Sequence, residues 1–297
     1  MPVDIAVATT DRYEDPAEST WYNLQVMLED EYLVAALARH GLSARRVSWL
    51  NSDFDWGACQ AVVIRSTWGY PDRMPEFEAW LSHCSRELRM FNPYSTVNWN
   101  LDKRYLLDLE KRGIRIVGTK LLPQGAHCSL RDEIAAHDQH EAIIKPAVSS
   151  GARHTYRVSK SNVDEIQQTL DRLIEEEAFL SQPFQQSVLE FGELSLMVMG
   201  GEYTHAVQKM PKAGDFRVHD QYGGRLAPYS ANRAEIAFAE AAVAACDPLP
   251  GYARVDIVRD HANEPALMEL ELVEPELFFR FNPSAADRLA KSIADEL

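Results

Sequence analysis

The segment MELELVEPELFF, residues 268–279, places two carboxylates two positions apart in an apolar run. On a β-strand, Glu269 and Glu271 leave the same face, and like charges at that distance repel each other. The short stretch HANEP joins this segment to the apolar segment YARVDIVRD, so a hairpin is predicted that brings Asp256 beside both glutamates. Three oxygen donors of this kind suit Mg²⁺, and the spacing allows two ions about 4 Å apart. A solvated acidic face of an edge hairpin is the alternative interpretation.

Lysine is scarce in this sequence, with eight lysines against twenty-two arginines, so each lysine position is informative. Lys145 follows two isoleucines in an apolar strand, and its ammonium must therefore either extend to solvent or serve a buried anion. The next turn, SSGARH (149–154), offers backbone N–H groups that could fold over phosphates. Lys103 stands at the start of a predicted helix, where backbone amides already favour anions. An ordinary exposed helical lysine is the alternative for Lys103.

Two further stretches carry basic residues that could contact an anionic ligand. Lys209 ends a predicted strand and leads into the loop 210–225, which carries Arg217; a solvated loop is the alternative interpretation. Arg65 ends the apolar run AVVIR. Ligands of open α/β sheets bind at this edge of the sheet, so Arg65 is a candidate to bind the acceptor substrate of a reaction catalysed there. An ion pair at a domain interface is the alternative for Arg65. The neighbours that could shape such a pocket are Thr67, Trp68 and Tyr70.

Apolar periodicity predicts the elements that position these residues. A strand over 4–10, an amphipathic helix over 29–41 and a strand over 61–66 form a βαβ beginning. A second helix, over 101–113, is closed by glycine, and a domain boundary is predicted near residue 98. The later elements are a strand over 141–147, a helix that Asn162 and Glu165 open with a variant of the capping box, strands over 179–184, 195–209, 253–259 and 267–273, and an Ala-rich helix over 234–245.

Composition narrows the class of protein. A chain of 297 residues with 46% hydrophobic residues suits two or three compact units. Its net charge of −15 argues against broad binding to nucleic acid or to an acidic membrane face. No stretch approaches the roughly 20 apolar residues of a membrane span, so the cytoplasm is the expected location. The cysteines show no zinc-ligand spacing and are predicted to be reduced and buried; they are Cys59, Cys84, Cys128 and Cys246.

Taken in order, these segments resemble the ATP-grasp superfamily of carboxylate–amine ligases over nearly the whole chain. The resemblance implies an ATP-grasp fold of mixed α/β and α+β class. An N-terminal α/β domain (1–98) would precede two subdomains, 99–185 and 186–297, that clamp ATP. Within the superfamily, the stretches VVIRSTWGYP, NWNLDKRYLLDLE and MELELVEPELFFR are most similar to the O-ureido-serine cyclo-ligases, which close the ring of cycloserine.

The resemblance also implies residues that bind the nucleotide. Lys103 and Lys145 are similar to the two phosphate-binding lysines of the family, and Ser150 and Gly151 lie in the segment that resembles its flexible phosphate loop. This loop is poor in glycine here, so we expect it to be stiffer than in the family, or to be ordered by Arg153 and His154. The residues that resemble the adenine hinge and the ribose-binding acid are Gln182, Phe184 and Glu193.

The remaining implied residues concern metal and chemistry. The stretch KMPKAGDFR resembles part of bacterial glutathione synthetase, which puts Lys209 or Arg217 near the γ-phosphate or an acyl phosphate. Asp256, Glu269 and Glu271 match the metal ligands of the family. The expected cofactors are ATP and Mg²⁺, with two metal ions and with Mn²⁺ as an alternative. Because the third ligand of the family is often Asn, Glu271 adds one negative charge and leaves the metal number open.

The implied activity is an ADP-forming carbon–nitrogen ligase. A small amino-acid-like carboxylate would be activated as an acyl phosphate, and an amine of the same molecule would attack it, converting O-ureido-D-serine to D-cycloserine. An intermolecular amino-acid or dipeptide ligase is one alternative. A nucleotide-binding regulatory protein without turnover is another, although it would not need the three carboxylates. The expected partner is a small molecule; nucleic acid and membrane are not expected, and a homodimer is compatible with the sequence.

Overall fold

The computed structural model describes residues 3–16, 20–137, 140–218, 223–260 and 262–297. Residues 219–222 of the predicted loop 210–225, and His261 of the hairpin connection, lie outside the described residues. Within the described ranges, the strands are β1 Ile5–Thr9, β2 Ala44–Ser48, β3 Ala61–Ser66, β4 Arg89–Phe91, β5 Lys120–Leu122, β6 Ala142–Pro146, β7 Tyr156–Val158, β8 Phe179–Pro183, β9 Glu193–Met199, β10 Glu202–Met210, β11 Arg225–Tyr229, β12 Tyr252–Arg259 and β13 Pro265–Glu271. The helices are α1 Asp11–Glu14, α2 Trp21–Arg39, α3 Met74–Glu87, α4 Tyr94–Asn100, α5 Tyr105–Lys111, α6 Leu130–Ala135, α7 Val163–Leu173, α8 Ser187–Glu190, α9 Arg233–Ala244 and α10 Ser284–Glu296.

The N-terminal unit is a parallel sheet with the strand order β2-β1-β3-β4. Strands β1 and β3 are buried along their whole length because helices cover both faces, as parallel sheets require. Ile5 of β1 packs with α2 and the C-terminal helix α10, and Ala6 packs with α3. Both predicted strands and the helix between them are confirmed, but β2, which follows α2 and pairs in parallel with β1, was not predicted from the sequence. Helix α2 begins at Trp21, earlier than predicted. The prediction missed its first part because apolar residues on the exposed side hide the amphipathic pattern; they are Trp21, Leu24 and Leu28.

The middle unit is an antiparallel sheet with the strand order β5-β8-β6-β7. Ile144 packs against α6 and α7, whereas Ile143 and Lys145, on the opposite face, line a cavity. Helix α7 begins where it was predicted, but Asn162 makes no side-chain capping bond to it and accepts instead from the backbone N–H of Ser159 at 2.8 Å.

The C-terminal unit is an antiparallel sheet with the strand order β11-β10-β9-β12-β13. Its strands alternate between two packed faces. Leu196 of β9 packs with α5 and α9, and Met197 packs with α2 and α10. The helix predicted over 234–245 is confirmed, and it carries a full capping box between Asn232 and Glu235.

Asn92 joins the N-terminal unit to the C-terminal sheet. Its Nδ2 donates to the carbonyl oxygens of Tyr252 and Leu272, both at 2.8 Å, and its Oδ1 accepts from the backbone N–H of Gly251 at 2.7 Å. The Tyr252 hydroxyl in turn donates to the carbonyl oxygen of Ile64 at 2.8 Å. These buried bonds and the shared apolar cluster fix the two units against each other.

The structure can be compared with two predicted boundaries and with the predicted state of the cysteines. Residue 98 lies inside helix α4, and the domain division at that point stays a prediction. The helix predicted over 101–113 begins only at Tyr105, so Lys103 lies in the preceding turn. The four cysteines are buried and free, as predicted.

Among the described residues, no helix combines the length and the apolar character needed to cross a membrane.

Candidate active site

A cavity of about 510 Å³ is lined by residues from all three units. The middle sheet supplies Lys145 and Gln182, and the C-terminal sheet supplies Lys209 and Asp256. The N-terminal unit contributes the stretch from Trp68 to Tyr70. All the predicted site residues line this cavity except Arg65 and Thr67.

Strands β12 and β13 bring the three predicted carboxylates to one wall. They pair antiparallel, which confirms the predicted hairpin, and Asp256 lies directly opposite Glu269. Arg254 lies opposite Glu271 in the same register. Because side chains alternate along a strand, these four residues share the face that lines the cavity.

Basic side chains hold these carboxylates. Lys145 Nζ lies 2.6 Å from Glu269 Oε1, so the buried lysine pairs with a half-buried carboxylate rather than extending to solvent. Arg254 lies between two carboxylates, at 3.0 Å from Asp256 Oδ2 and paired also with Glu271. Within the described ranges, no group of three His, Cys, Asp or Glu side chains is arranged to hold a metal ion.

Lys209 is the third internal cation of the site. Its ammonium lies 3.4 Å from Asp256 Oδ2 and pairs also with Glu193, the predicted ribose-binding acid. The side chain is buried, and the opposing charges of Asp256 and Glu193 raise its pKa even though burial lowers it. Lys209 is therefore charged and compensated in the nucleotide-free protein.

Burial and neighbouring charge set the ionisation of the carboxylates. Burial raises the pKa of Glu271 to about 7, against the opposing effect of Arg254. Burial also disfavours the charged form of Asp256, but Arg254 and Lys209 outweigh it and lower that pKa. Carboxylate oxygens on one cavity wall are the donor type that Mg²⁺ prefers, so the chemistry of these residues suits this ion, and the metal site stays a prediction.

The segment 149–154 borders the cavity next to Lys103. Lys103 Nζ donates to the carbonyl oxygen of Ser149 at 2.6 Å, and its backbone N–H donates to the carbonyl oxygen of Ala147 at 2.8 Å. Arg153 makes two bonds to Glu177, at 2.9 and 2.8 Å, which agrees with the expectation that it orders this segment. Ser150 and Gly151 line the cavity between these two anchors.

The far end of the cavity carries the predicted adenine hinge. Gln182 is buried; its Nε2 donates to Thr119 Oγ1 at 2.9 Å, and its Oε1 has no hydrogen-bond partner among the described residues. Phe184 is also buried, and the guanidinium of Arg157 stacks on its ring at 3.8 Å. This end therefore offers an apolar wall and one free acceptor.

Arg217 lines the cavity from the loop after β10. Its guanidinium donates to Asp215, with Nη2 at 2.8 Å from Oδ2. This hydrogen bond lowers the pKa of Asp215 to about 2. The bond holds the guanidinium on its loop at the cavity wall.

Arg65 occupies a different place from the one predicted. Its side chain is buried, and Nη2 donates to Glu29 Oε1 at 3.3 Å and to the carbonyl oxygen of Pro275 at 2.8 Å. These contacts match the alternative of an ion pair at a domain interface, and substrate binding by Arg65 stays a prediction. Thr67 is buried outside the cavity lining, whereas Tyr70 is buried and lines it.

Several residues of the site were missed from the sequence. Arg254 could have been found, since it stands two positions before Asp256 and so shares its strand face. Asn100 and Tyr105 could not, because their role depends on tertiary packing. Asn100 bonds the outer edge of β13 twice, donating to the carbonyl oxygen of Leu270 and accepting from the N–H of Leu272, both at 2.8 Å. The Tyr105 hydroxyl accepts from the N–H of Leu270 at 2.9 Å.

Comparison with known proteins shows that the fold is that of an ATP-dependent ligase with an ATP-grasp domain. Residues 5–92 match the family model described as D-cycloserine synthetase DcsG, N-terminal domain. Residues 108–259 match the model described as prokaryotic glutathione synthetase, ATP-grasp domain.

Individual relatives point to the same family. The cycloserine biosynthesis protein DcsG of Streptomyces lavendulae is 32% identical over 279 residues, which cover 89% of this chain and 92% of that protein. A crystal structure of D-cycloserine synthetase DcsG has a TM-score of 0.87 at 28% identity, covering 98% of this chain and 99% of the other. D-alanine–D-alanine ligase from Bacillus anthracis, complexed with ATP, has a TM-score of 0.64 at 11% identity over 99% of each chain, which shows the fold alone.

The chain belongs to the DcsG family of ATP-grasp ligases. It is an ATP-dependent ligase, and the ligases of this superfamily use ATP with Mg²⁺.

Proposed function

We propose that the protein is an ATP- and Mg²⁺-dependent cyclo-ligase that converts O-ureido-D-serine to D-cycloserine. One observation supports the substrate above all. The similarity to the cycloserine biosynthesis protein DcsG covers 89% of the chain, and the N-terminal residues 5–92 match a model named for D-cycloserine synthetase rather than for ATP-grasp ligases in general.

ATP binding is proposed between the middle unit, 99–185, and the C-terminal unit, 186–297, behind an N-terminal domain of residues 1–98. The free acceptor Gln182 Oε1 would receive a hydrogen bond from the adenine amino group. Glu193 would accept from the ribose once Lys209 turns to phosphate. The residues proposed to contact the phosphates are Lys103, Lys145, Ser150 and Gly151, all of which line the cavity.

The metal site is proposed at Asp256, Glu269 and Glu271, with two Mg²⁺ ions. When bound, Mg²⁺ would neutralise phosphate charge and orient the transferred group. The protein holds these carboxylates ready with internal cations, so Lys145 and Lys209 must exchange carboxylate for phosphate as the nucleotide binds.

The order of chemical steps follows from leaving-group chemistry. A carboxylate does not react with a nitrogen nucleophile at neutral pH because oxide would have to leave, so the γ-phosphoryl group is transferred to it first. Lys209 and Arg217, with Arg254 beside them, would place positive charge around that group. The oxygen-linked nitrogen of the same substrate then attacks, phosphate leaves, and a ring closes; tethering supplies the proximity. Conversion to cycloserine also requires hydrolysis of the bond between that nitrogen and the carbamoyl carbon, and the released carbamic acid decomposes to carbon dioxide and ammonia.

The test is direct. The protein is given Mg-ATP and O-ureido-D-serine, and ADP, phosphate and cycloserine are followed by mass spectrometry. All three should appear together, and hydroxylamine added during turnover should trap the acyl phosphate as a hydroxamate. ADP release that requires a separate amino acid, with a linear amide as product, would show an intermolecular ligase instead.

A further inference from the structure

Glu274 differs from the other acidic residues of the cavity. Five other carboxylates line it, and each has a basic partner; they are Glu193, Asp256, Glu269, Glu271 and Glu276. Glu274 is 8% exposed, yet in the part of the chain that the structure describes no Lys, Arg or His nitrogen lies within ion-pair distance of its carboxylate. A buried carboxylate without a counter-ion is costly to keep charged, so this position suits a cation that arrives with a ligand.

The backbone around Glu274 is held firmly. Trp68 Nε1 donates to the carbonyl oxygen of Glu274 at 3.0 Å, and Arg65 donates to the carbonyl oxygen of the next residue, Pro275, at 2.8 Å. Leu277 donates its backbone N–H to Glu29. Because the backbone is fixed at Glu274 and in the residues that follow it, the position of Glu274 at the cavity wall is preorganised.

Aromatic rings surround the same part of the cavity. Trp68 meets Tyr13 edge-on, with ring centroids 5.6 Å apart, and Tyr22 lies 6.5 Å from it. Burial raises the pKa of the Tyr70 phenol, and the charge of Glu274 and a side-chain hydrogen bond between the two residues raise it further. All of these side chains line the cavity. A carboxylate beside several aromatic rings is the combination that binds a substituted ammonium.

We propose that Glu274 binds the α-ammonium group of the amino-acid substrate, with the rings of Trp68 and Tyr70 beside it. This inference rests on the proposed function and names the residue that selects an amino acid over a plain carboxylic acid. Glu271 and Lys103 are near enough for their charges to act on Glu274. A substrate held there by its ammonium group therefore presents its carboxylate, one carbon away, to the phosphate and metal end of the cavity.

The pKa of Glu274 agrees with this role. Burial, and after it the charge of Glu271, raise the pKa of Glu274 to about 8 against the opposing effect of Lys103. The carboxyl is thus largely protonated near neutral pH as long as no cation lies beside it. An incoming ammonium supplies the missing positive charge and favours the ionised form.

The test compares ligands that differ only in the amino group. O-ureido-D-serine and its analogue without the α-amino group, 3-(ureidooxy)propanoate, are titrated against the full-length protein by calorimetry. Glu274→Gln should weaken binding of O-ureido-D-serine roughly tenfold to hundredfold, the range of a charge-assisted hydrogen bond, and change binding of the analogue less than about twofold. The matched control is Glu276→Gln, which removes an acid that Arg280 already neutralises. Glu274→Asp, which keeps the charge, should retain more of the selectivity.

Each outcome decides the matter. Equal losses for both ligands, equal losses in both Gln variants, or no loss in Glu274→Gln would overturn the assignment, and so would a fall in turnover with unchanged binding, which indicates proton transfer by Glu274. If wild type does not bind O-ureido-D-serine, the proposed function fails separately. The same variants are then compared on pairs of D- and L-amino acids and their deamino analogues, and a protein that prefers no amino acid to its analogue has no such ammonium site.

Discussion

Lys145 Nζ lies 2.6 Å from Glu269 Oε1, so a lysine of β6 and a glutamate of β13 join the middle sheet to the C-terminal sheet across the cavity. The lysine side chain is only 8% exposed. The proposed function assigns Lys145 to phosphate and Glu269 to metal. Binding of phosphate to Lys145 or of metal to Glu269 must break this ion pair. Once one ligand has broken it, the other binds without that cost, so the affinities for the two ligands are coupled.

The first prediction concerns metal binding without nucleotide. Lys145→Met leaves Glu269 without its cation, so the affinity for Mn²⁺ in the absence of ATP should rise by about tenfold. Titration followed by electron paramagnetic resonance measures the free ion directly. Lys120→Met is the control, because Lys120 pairs with Glu133 and does not line the cavity. Equal metal affinity in Lys145→Met and wild type would mean that the ion pair does not compete with the metal.

The same position should have the opposite effect on nucleotide. Lys145→Ala removes a charge that is proposed to face phosphate, so the affinity for ATP should fall by about tenfold or more while adenosine binding stays nearly the same. Calorimetric titration with both ligands separates the two effects. Wild-type affinity for ATP in this variant would restrict the role of Lys145 to holding Glu269.

The carboxylate itself is tested by Glu269→Gln, which keeps the shape and removes the charge. ADP formation should fall by about a hundredfold or more, and higher Mg²⁺ should restore part of it because Asp256 and Glu271 remain. Glu264→Gln is the matched control, since it removes an exposed acid from the same hairpin. Full activity in Glu269→Gln would falsify the metal-site assignment.

Asn100 should matter for the same site through the backbone. It bonds the outer edge of β13 at Leu270 and Leu272, on either side of Glu271, as another strand would. Asn100→Ala leaves a buried N–H and a buried carbonyl without partners, so the free energy of unfolding should fall by about 3 kcal/mol. Chemical denaturation measures this loss. Asn98→Ala, at an exposed position of the same helix, should cost little, and an equally small loss at Asn100 would show that β13 does not depend on this support.

Local pattern was sufficient for the carboxylate hairpin. Alternation fixed the shared face of Glu269 and Glu271, and a short connection fixed their pairing with Asp256, which the strand register confirms. The resemblance to ATP-grasp ligases supplied the wider fold, which family and structural matches confirm. Both signals lie within short stretches of chain, where sequence is most informative.

Long-range contacts account for what was not predicted. The bonds of Asn100 to β13 span about 170 positions in sequence, and no pattern within a short stretch of the sequence predicts them. Arg65 shows the converse, because its place at the end of a parallel strand suggested a ligand, yet the segment after β13 returns beside it and supplies the carbonyl of Pro275. Whether Arg65 pairs with a ligand or with Glu29 depends on tertiary packing, and the pattern of residues along a strand does not predict that packing.

Arg65 and Glu29 form a buried ion pair that fixes the segment after β13. Glu29 accepts from the backbone N–H of Leu277 at 2.6 Å and of Phe279 at 2.9 Å, and Arg65 donates to it at 3.3 Å. Burial, with a smaller effect from the nearby charge of Glu276, raises the pKa of Glu29 to about 7 against the opposing effect of Arg65. The folded protein thus binds a proton at Glu29 that the unfolded chain releases near its ordinary value of 4.5.

The last prediction follows from the sign of that shift. A carboxyl whose folded pKa is raised contributes stability that is complete below the unfolded value and is lost as pH rises through the folded value. The melting temperature of wild type should therefore fall between about pH 5 and pH 8, and Glu29→Gln should flatten that fall. Arg65→Met leaves Glu29 buried without its cation, so it should cost about 3 to 5 kcal/mol of unfolding free energy at pH 8 and less at pH 5. Thermal unfolding across this range is measured together with substrate binding. A variant at Arg65 that keeps wild-type stability at every pH but loses the substrate would show that Arg65 anchors the ligand after all.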